Sequence, residues 1–277
     1  MNKLLIIDGH NYLYRAYYGV PSAAKLPNGQ QINAFYGFLS YLRKNVSYIQ
    51  PDNVLVVFDT ETGIQSKLNK NKDYKQNRDY TDMSMFEQLP IIKKALEYIG
   101  ITYVEDDNHE GDDVIVSVAN KESVNNESFI STQDKDFFQI IEDNIYVLRD
   151  EKVKTESRYS YNQVVYTKEK FIEQWEFQPA NYLDYLSLKG DPSDNIKGVQ
   201  GIGKLRASRL VKSYGDIENI IESSEEVRLI GNEEMIRKNK QFLKMERDLD
   251  VDYKLRKLEK EKVFQSANNI LDIIYHE

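Results

Sequence analysis

Cysteine is absent from this chain, and histidine is scarce at three residues, His10, His109 and His276. The first absence excludes disulfides, thiolate nucleophiles and cysteine-based zinc sites. The second disfavours a histidine-rich metal centre. No apolar run resembles a transmembrane helix, and the apolar part of the first eight residues is too short for a secretory signal. These absences point to a cytoplasmic protein with no membrane partner. Positive charge is also in deficit, with 37 Lys and Arg against 45 Asp and Glu and a formal net charge of −8. That balance argues against a nucleic-acid partner, unless the acid is gathered in one place and the base in another.

The 277 residues allow one large or two small domains, and a 40% apolar fraction is enough for a real core. Twenty tyrosines read equally well as packing groups or base-stacking platforms. Apolar runs at 4–7, 54–58, 101–105, 128–132 and 145–149 read as strands. They alternate with helical stretches at 12–18, 34–48, 85–99 and 112–121, the pattern of an α/β sheet. Gly100 is placed to stop the third of these helices. Residues 150–163 read as a polar linker or hairpin. From Tyr166 onward the chain reads as mainly helical, with Thr167 available as a cap for 168–175. A helical continuation is expected over 217–254, and a terminal packing helix over 257–275.

Three of the strands end in carboxylates, at Asp8, Asp59 and Asp134. A lone strand-end Asp is ordinarily a turn or helix cap. In an open parallel sheet, however, strand ends on one edge form the usual binding crevice. Glu110, Asp112 and Asp113 add three acids within four residues at a helix start. First-turn acids suit a helix N-terminus. Three together repel unless a proton or a cation intervenes, so a divalent metal is the reading to test. Asp191 and Asp194, three apart, face one site across a turn. Just beyond them Gly198, Gly201 and Gly203 lead into Lys204, Arg206, Arg209 and Lys212. Glycines let backbone N–H groups approach a phosphate, and the basic residues strengthen that attraction. Residues 61–84 are polar and basic, with Lys67, Lys70, Lys72, Lys75 and Arg78. They read either as a solvated loop or as a segment that meets phosphate.

In order and spacing these pieces resemble the 5′ nuclease family of polymerase-associated 5′ exonucleases, phage exonucleases and flap endonucleases. The matching pieces are Ile6-Ile7-Asp8-Gly9, Val57-Phe58-Asp59, Glu110-Gly111-Asp112-Asp113 and Gln133-Asp134-Lys135-Asp136. Gly190-Asp191-Pro192-Ser193-Asp194-Asn195 and Gly198-Val199-Gln200-Gly201-Ile202-Gly203 follow, and Asn33 to Phe38 and Tyr74 to Arg78 fit as well. The likeness runs from residue 4 to about residue 254. It implies a mainly parallel sheet flanked by helices (a PIN-like core), a helical arch at about 61–84, and a helix–three-turn–helix DNA-binding subdomain. The implied division is a nuclease core over 1–165 and a helical region over 166–277, with the hairpin motif at about 186–216.

The resemblance implies a first metal site of Asp8, Asp59, Glu110 and Asp112, and a second of Asp134, Asp136, Asp191 and Asp194. Asp112 would approach both sites and Asp113 would support them. Two Mg²⁺ or Mn²⁺ ions are implied, with K⁺ as a candidate at the hairpin backbone. Lys75 and Arg78 would act at the scissile phosphate. Lys67, Lys72, Lys189, Gly198, Gly201, Gly203, Lys204, Arg206 and Arg209 would contact nucleic acid. The chain departs from the family at Ser66-Lys67, where Phe-Arg is usual, and at Lys197, where proline is frequent. Leu205 stands where a basic residue is common.

The implied activity is metal-dependent 5′→3′ exonuclease and 5′ flap endonuclease cleavage of branched, nicked or gapped DNA, and of RNA primers in RNA–DNA hybrid. Its products would carry 5′-phosphate and 3′-hydroxyl ends. The implied setting is replication and repair by a standalone nucleoid-associated monomer, coupled to a DNA polymerase and a ligase. Two competing readings are a non-catalytic branched-DNA binding module and a PIN-type nuclease acting mainly on RNA.

Overall fold

The run Leu4-Leu5-Ile6-Ile7 has no polar alternation, so a strand made from it must be covered on both faces. In the computed structural model, which describes residues 1–21, 24–26, 28–60, 62–63, 84–154 and 159–276, this run forms the middle of a six-stranded sheet. The strands are β1 (Asn2–Asp8), β2 (Asn53–Phe58), β3 (Thr102–Glu105), β4 (Asn126–Ser131), β5 (Ile145–Lys154) and β6 (Tyr159–Tyr166). Their order is β3-β2-β1-β4-β5-β6. The first five run parallel, and β6 returns antiparallel beside β5. The hairpin alternative for 150–163 therefore holds.

Side chains alternate across the sheet into two cores. Leu4, Ile6, Leu55, Val57, Ile130 and Val147 face one core, and Leu5, Ile7, Val54, Val56, Phe58 and Phe129 face the other. The second core is closed by α1 (Gly9–Gly19), α2 (Asn33–Ile49) and α3 (Leu89–Ile99). Gly100 ends α3 in the left-handed region at φ 82°, as expected of a glycine stop. The first core is closed by α4 (Gly111–Glu122) and then by the later helices. These are α5 (Lys168–Trp175), α6 (Tyr182–Lys189), α7 (Lys204–Tyr214), α8 (Ile217–Ser223) and α9 (Glu233–Leu243). Thr167 caps α5, accepting from the Lys170 N–H. Between α6 and α7 a two-residue ladder pairs β7 (Gly190–Asp191) with β8 (Ile196–Lys197).

The tail packs as expected. Leu258 and Val263 enter the second core, Val263 from α10 (Lys260–Val263). Ile270 and Ile274 of α11 (Ala267–His276) join them.

The expected helical continuation over 217–254 holds through α8 and α9 and ends at Leu243. After α9, residues 244–259 carry no regular element. They run along α4 as a strap held by side chains one and two turns apart. Asp113 accepts from the Glu246 N–H at 2.9 Å, Ser117 accepts from the Leu249 N–H at 3.2 Å, and Asn120 donates to the Arg247 carbonyl at 3.2 Å. The cause is the period of the sequence. Leu243, Met245, Leu249, Val251, Tyr253 and Leu255 occupy every second position apart from Arg247, with charged residues between them. A period of two buries one side of an extended chain, whereas a helix would scatter those side chains around its axis.

Candidate metal centre and nucleic-acid interface

β1 leads through α1 and α2 to β2 on one side, whereas β4 lies on its other side. The crevice at the carboxyl ends of β1 and β4 is thus the switch point of the sheet. Asp8 and Asp134 flank it. Asp8 closes β1 and caps α1, accepting from the Asn11 N–H at 2.9 Å and from the Thr132 hydroxyl at 2.7 Å. Burial pushes its carboxyl up to about 7. The Asn11 and Thr132 hydrogen bonds oppose that rise, and the negative charges of Asp59 and Asp134 add to it.

Asp59 follows β2. Its Oδ1 accepts from the Gly111 N–H at 2.7 Å, which locks the start of α4 to the end of β2. An ideal Cβ on Gly111 would lie 2.8 Å from that same oxygen, so any larger residue there would displace the Asp59 carboxylate. Glu110, the residue before α4, is almost wholly buried. Asp112 and Asp113 occupy the first turn of α4. Asp113, 4% exposed, gives a carboxylate oxygen to the strap at Glu246.

The second group lies across Thr132. The Asp134 N–H donates to the Thr132 hydroxyl oxygen at 3.0 Å, so one hydroxyl bonds both Asp8 and the backbone of Asp134. Desolvation raises the Asp134 carboxyl, the Asp136 N–H it accepts lowers it, and Asp194 and Asp191 raise it again. Desolvation first, then Asp134, Asp191 and Asp194, lifts Asp136 well above the usual range, and Lys189 opposes the rise. Asp134 is therefore felt from both sides, by Asp8 and by the 136/191/194 group. Asp191 is held by the Ser193 N–H at 2.8 Å and the Ser193 hydroxyl at 2.5 Å. Among the described residues, no three Asp, Glu or His side chains already close around a single point. The carboxylates are gathered in one crevice without forming a finished cage.

The glycine hairpin stands beside this second group. Gly190, at φ 73°, and Gly198 press together so closely that an ideal Cβ on Gly198 would meet the Lys189 carbonyl oxygen at 2.1 Å. Val199 N–H donates to the Leu188 carbonyl at 2.9 Å, and Ile202 N–H donates to Val199 at 2.9 Å. Gly201 turns at φ 81°, and Gly203 precedes α7. Lys204, Leu205 and Arg209 are exposed along α7. The Arg206 guanidinium folds back onto the Gly201 carbonyl and Glu226. Burial lowers the Lys135 ammonium, and the positive charges of Arg149, Lys204 and Lys189 lower it further, which puts the hairpin's lysines within electrostatic reach of the 134–136 loop. Lys67, Lys72, Lys75 and Arg78, with the rest of the expected arch between residues 64 and 83, lie outside the described residues.

Sequence reasoning missed three positioning groups. Thr132 reads only as the last residue of a strand, and nothing in the sequence singles out Asn11. The Asn11 side-chain oxygen accepts from the Gln133 N–H at 3.1 Å and ties the β1 end to the β4 end. His10 was discounted because three histidines cannot build a metal centre. Its Nδ1 accepts from the Asp59 N–H at 2.9 Å, and its ring packs between Phe58 and Phe86, with centroids 6.0 and 5.7 Å away. Position two after a strand-end Asp, in the first turn of a helix, was the available signal for it.

This architecture matches that of solved flap nucleases. The bacteriophage T5 flap endonuclease, in a pseudo-enzyme–product complex with DNA and metal ions, superposes with a TM-score of 0.68. Coverage is 99% of both chains at 18% identity, a likeness of fold. Residues 3–176 match the family described as the 5'-3' exonuclease N-terminal resolvase-like domain, and residues 177–266 match the 5'-3' exonuclease C-terminal SAM fold. A 5'-3' exonuclease of Aquifex aeolicus is 33% identical over 262 residues, covering 93% of this chain and 82% of that protein. DNA polymerase I of Lactococcus lactis is 33% identical over 231 residues, covering 81% of this chain and 25% of that protein. The chain belongs to the 5'-3' exonuclease family and is a nuclease, a phosphodiester hydrolase.

Proposed function

We propose that this nuclease is a structure-selective, divalent-metal-dependent 5′→3′ exonuclease and 5′ flap endonuclease acting on branched, nicked or gapped DNA and on RNA primers. The observation that carries this reading is mutual charge. Asp8, Asp134 and Asp136 each have their carboxyl raised in part by neighbouring carboxylates. An all-oxygen donor set that repels itself fits Mg²⁺ or Mn²⁺, which prefer carboxylate and water. Metal ions with the T5 relative support the same reading.

Asp8, Asp59, Glu110 and Asp112 would hold one ion, and Asp134, Asp136, Asp191 and Asp194 a second. When bound, such ions neutralise the crevice, acidify a water and stabilise the leaving 3′ oxygen. The chain's own groups do the rest. The Thr132 hydroxyl and the Asn11 N–H fix the Asp8 carboxylate, His10 holds the backbone of Asp59, the Asn11 side chain holds the backbone of Gln133, and Asp113 anchors α4 to the strap. Lys189 puts a positive charge beside Asp136. Lys75 and Arg78 would meet the charge developing on the phosphoryl oxygens, with Lys67 and Lys72 along the strand path. The hairpin at 198–203, with Lys204, Arg206 and Arg209, would hold duplex backbone without reading bases, and K⁺ at the hairpin backbone would add to that hold. A nucleoid-associated monomer working with a polymerase and a ligase completes the reading; similarity to part of bacterial DNA polymerase I supports the link to a polymerase.

The test is an end-labelled 5′-flap duplex incubated with Mg²⁺ or Mn²⁺, beside the Asp134→Ala protein. The expected result is metal-dependent release of the flap by the native chain and none by the variant. Absence of cleavage of every structured DNA with both metals would overturn the proposal.

A further inference from the structure

The hairpin tip is not built by the glycine motif alone. Residues 224–232, the connection between α8 and α9, carry no nucleic-acid signature, yet Arg228 of this loop folds against the tip. An ideal Cβ on Gly201 would lie 3.0 Å from Nε and 3.1 Å from Cδ of Arg228, so this arginine lies directly over the tip. Glu226 holds it there. Its Oε1 accepts from the Arg228 guanidinium at 2.7 Å and from the Arg228 N–H at 3.3 Å. The other oxygen of Glu226 is 3.3 Å from Nε of Arg206, whose guanidinium also donates to the Gly201 carbonyl. Asn232 fixes the backbone by donating to the Arg228 carbonyl at 2.9 Å. One carboxylate, 15% exposed, thus carries two guanidinium groups that are 40% and 44% exposed.

Guanidinium groups present several donors in a fixed fork, and one carboxylate does not use all of them. The remaining N–H groups of Arg206 and Arg228 stand at the turn around Gly201, which is itself exposed and carries no side chain. That pairing suits a phosphate oxygen, which accepts both guanidinium and backbone donors.

We propose that Arg228 is a phosphate-binding residue of the duplex-holding surface, oriented by Glu226 as a positioning residue. With Arg206 it forms a two-arginine fork over the hairpin tip. The inference rests on the reading of the hairpin as a DNA-backbone holder. It extends the binding surface to a loop about 25 residues beyond the glycine motif.

The test measures affinity for a fluorescein-labelled 5′-flap duplex in EDTA over a sodium chloride series, with thermal melts confirming that each variant is folded. Arg228→Ala should weaken binding about tenfold at low salt and lower the slope of log affinity against log salt by about one. Arg228→Lys should keep the slope, since the charge remains, while losing part of the affinity gained from the planar fork. Arg237→Ala, which removes an exposed charge paired to Glu218 on α9, should leave the slope unchanged. Lys204→Ala separates the two levels of the argument. If Lys204→Ala lowers the slope and Arg228→Ala does not, the assignment of Arg228 is overturned while the hairpin reading stands. If neither lowers it, the hairpin reading itself fails. A slope lowered equally by Arg237→Ala would show only a general charge effect and would also overturn the assignment.

Discussion

The acidic crevice and the basic hairpin meet around Asp134 to Asp136, yet they are built in opposite ways. The crevice draws on Asp8, Asp59, Glu110, Asp134 and Asp191, delivered by five separate elements. Its carboxylates sit in or near the protein interior, and their repulsion is contained by hydrogen bonds from Asn11, Thr132, Gly111 and Ser193. The hairpin and its helix are one continuous stretch from Gly198 to Lys212 that exposes Lys204 and Arg209 at the surface and is braced from outside by Glu226 and Arg228. The first arrangement is under electrostatic tension that a cation would relieve. The second is relaxed and presents charge outward. Chemistry is thus expected to depend on the crevice, and substrate grip on the hairpin.

The largest effect expected from this contrast is at Asp136. Asp136→Asn should reduce flap cleavage by about 10³-fold or more, the scale of losing a group that manages transition-state charge, while leaving DNA affinity intact or tighter. Single-turnover cleavage beside a binding isotherm checks this, and parallel loss of both would break the division of labour. Next is the buried tail. Ile270→Ala removes a fully buried side chain from the second core and should cost about 2–5 kcal/mol of stability, with cleavage per folded molecule unchanged. Urea unfolding and active-site titration separate these. Gly111→Ala pushes a methyl group against Asp59. Displacement of one carboxylate by about 1 Å should cost on the order of 10²-fold in rate, with unaltered affinity for flap DNA in EDTA.

A smaller effect comes from pH. The carboxyl of Asp8 titrates near 7 in the folded chain, raised from 3.8 chiefly by burial. Its folded state therefore holds a proton that the unfolded state has lost between those values. The stability of the metal-free protein should fall as pH rises from about 4 to 7 and then level off. Asp134 and Asp136 are shifted in the same direction. Added Mg²⁺ or Mn²⁺ should raise the melting temperature more at pH 8 than at pH 5. An equal rise at both would remove the charge argument for the crevice.

Much of this was legible in the order of residues. Strand runs such as Leu4 to Ile7, the glycine stop at Gly100 and the Thr167 cap depend on local chemistry, which short stretches carry. The acid positions were legible because strand ends of a parallel sheet must share an edge. The part of the strap at 244–254 reads as helix, although its alternation is present. A period of two among charged residues was outweighed by the helical neighbourhood. His10, Thr132 and Arg228 could not be assigned, because each acts through a partner far away in the chain or on another element.

The amino-acid sequence alone determined that carboxylates would end the strands and that glycines would precede a basic helix, since turn chemistry and hydrophobic period are local. Only the tertiary structure decided how those carboxylates are coupled. Asp134, through the Thr132 hydroxyl and through its charge, is linked to both acidic groups, because β1 and β4 pair in parallel at the switch point and their ends lie side by side. It also decided that the loop at 224–232 belongs to the hairpin. Long-range packing sets such distances, and no local pattern encodes them.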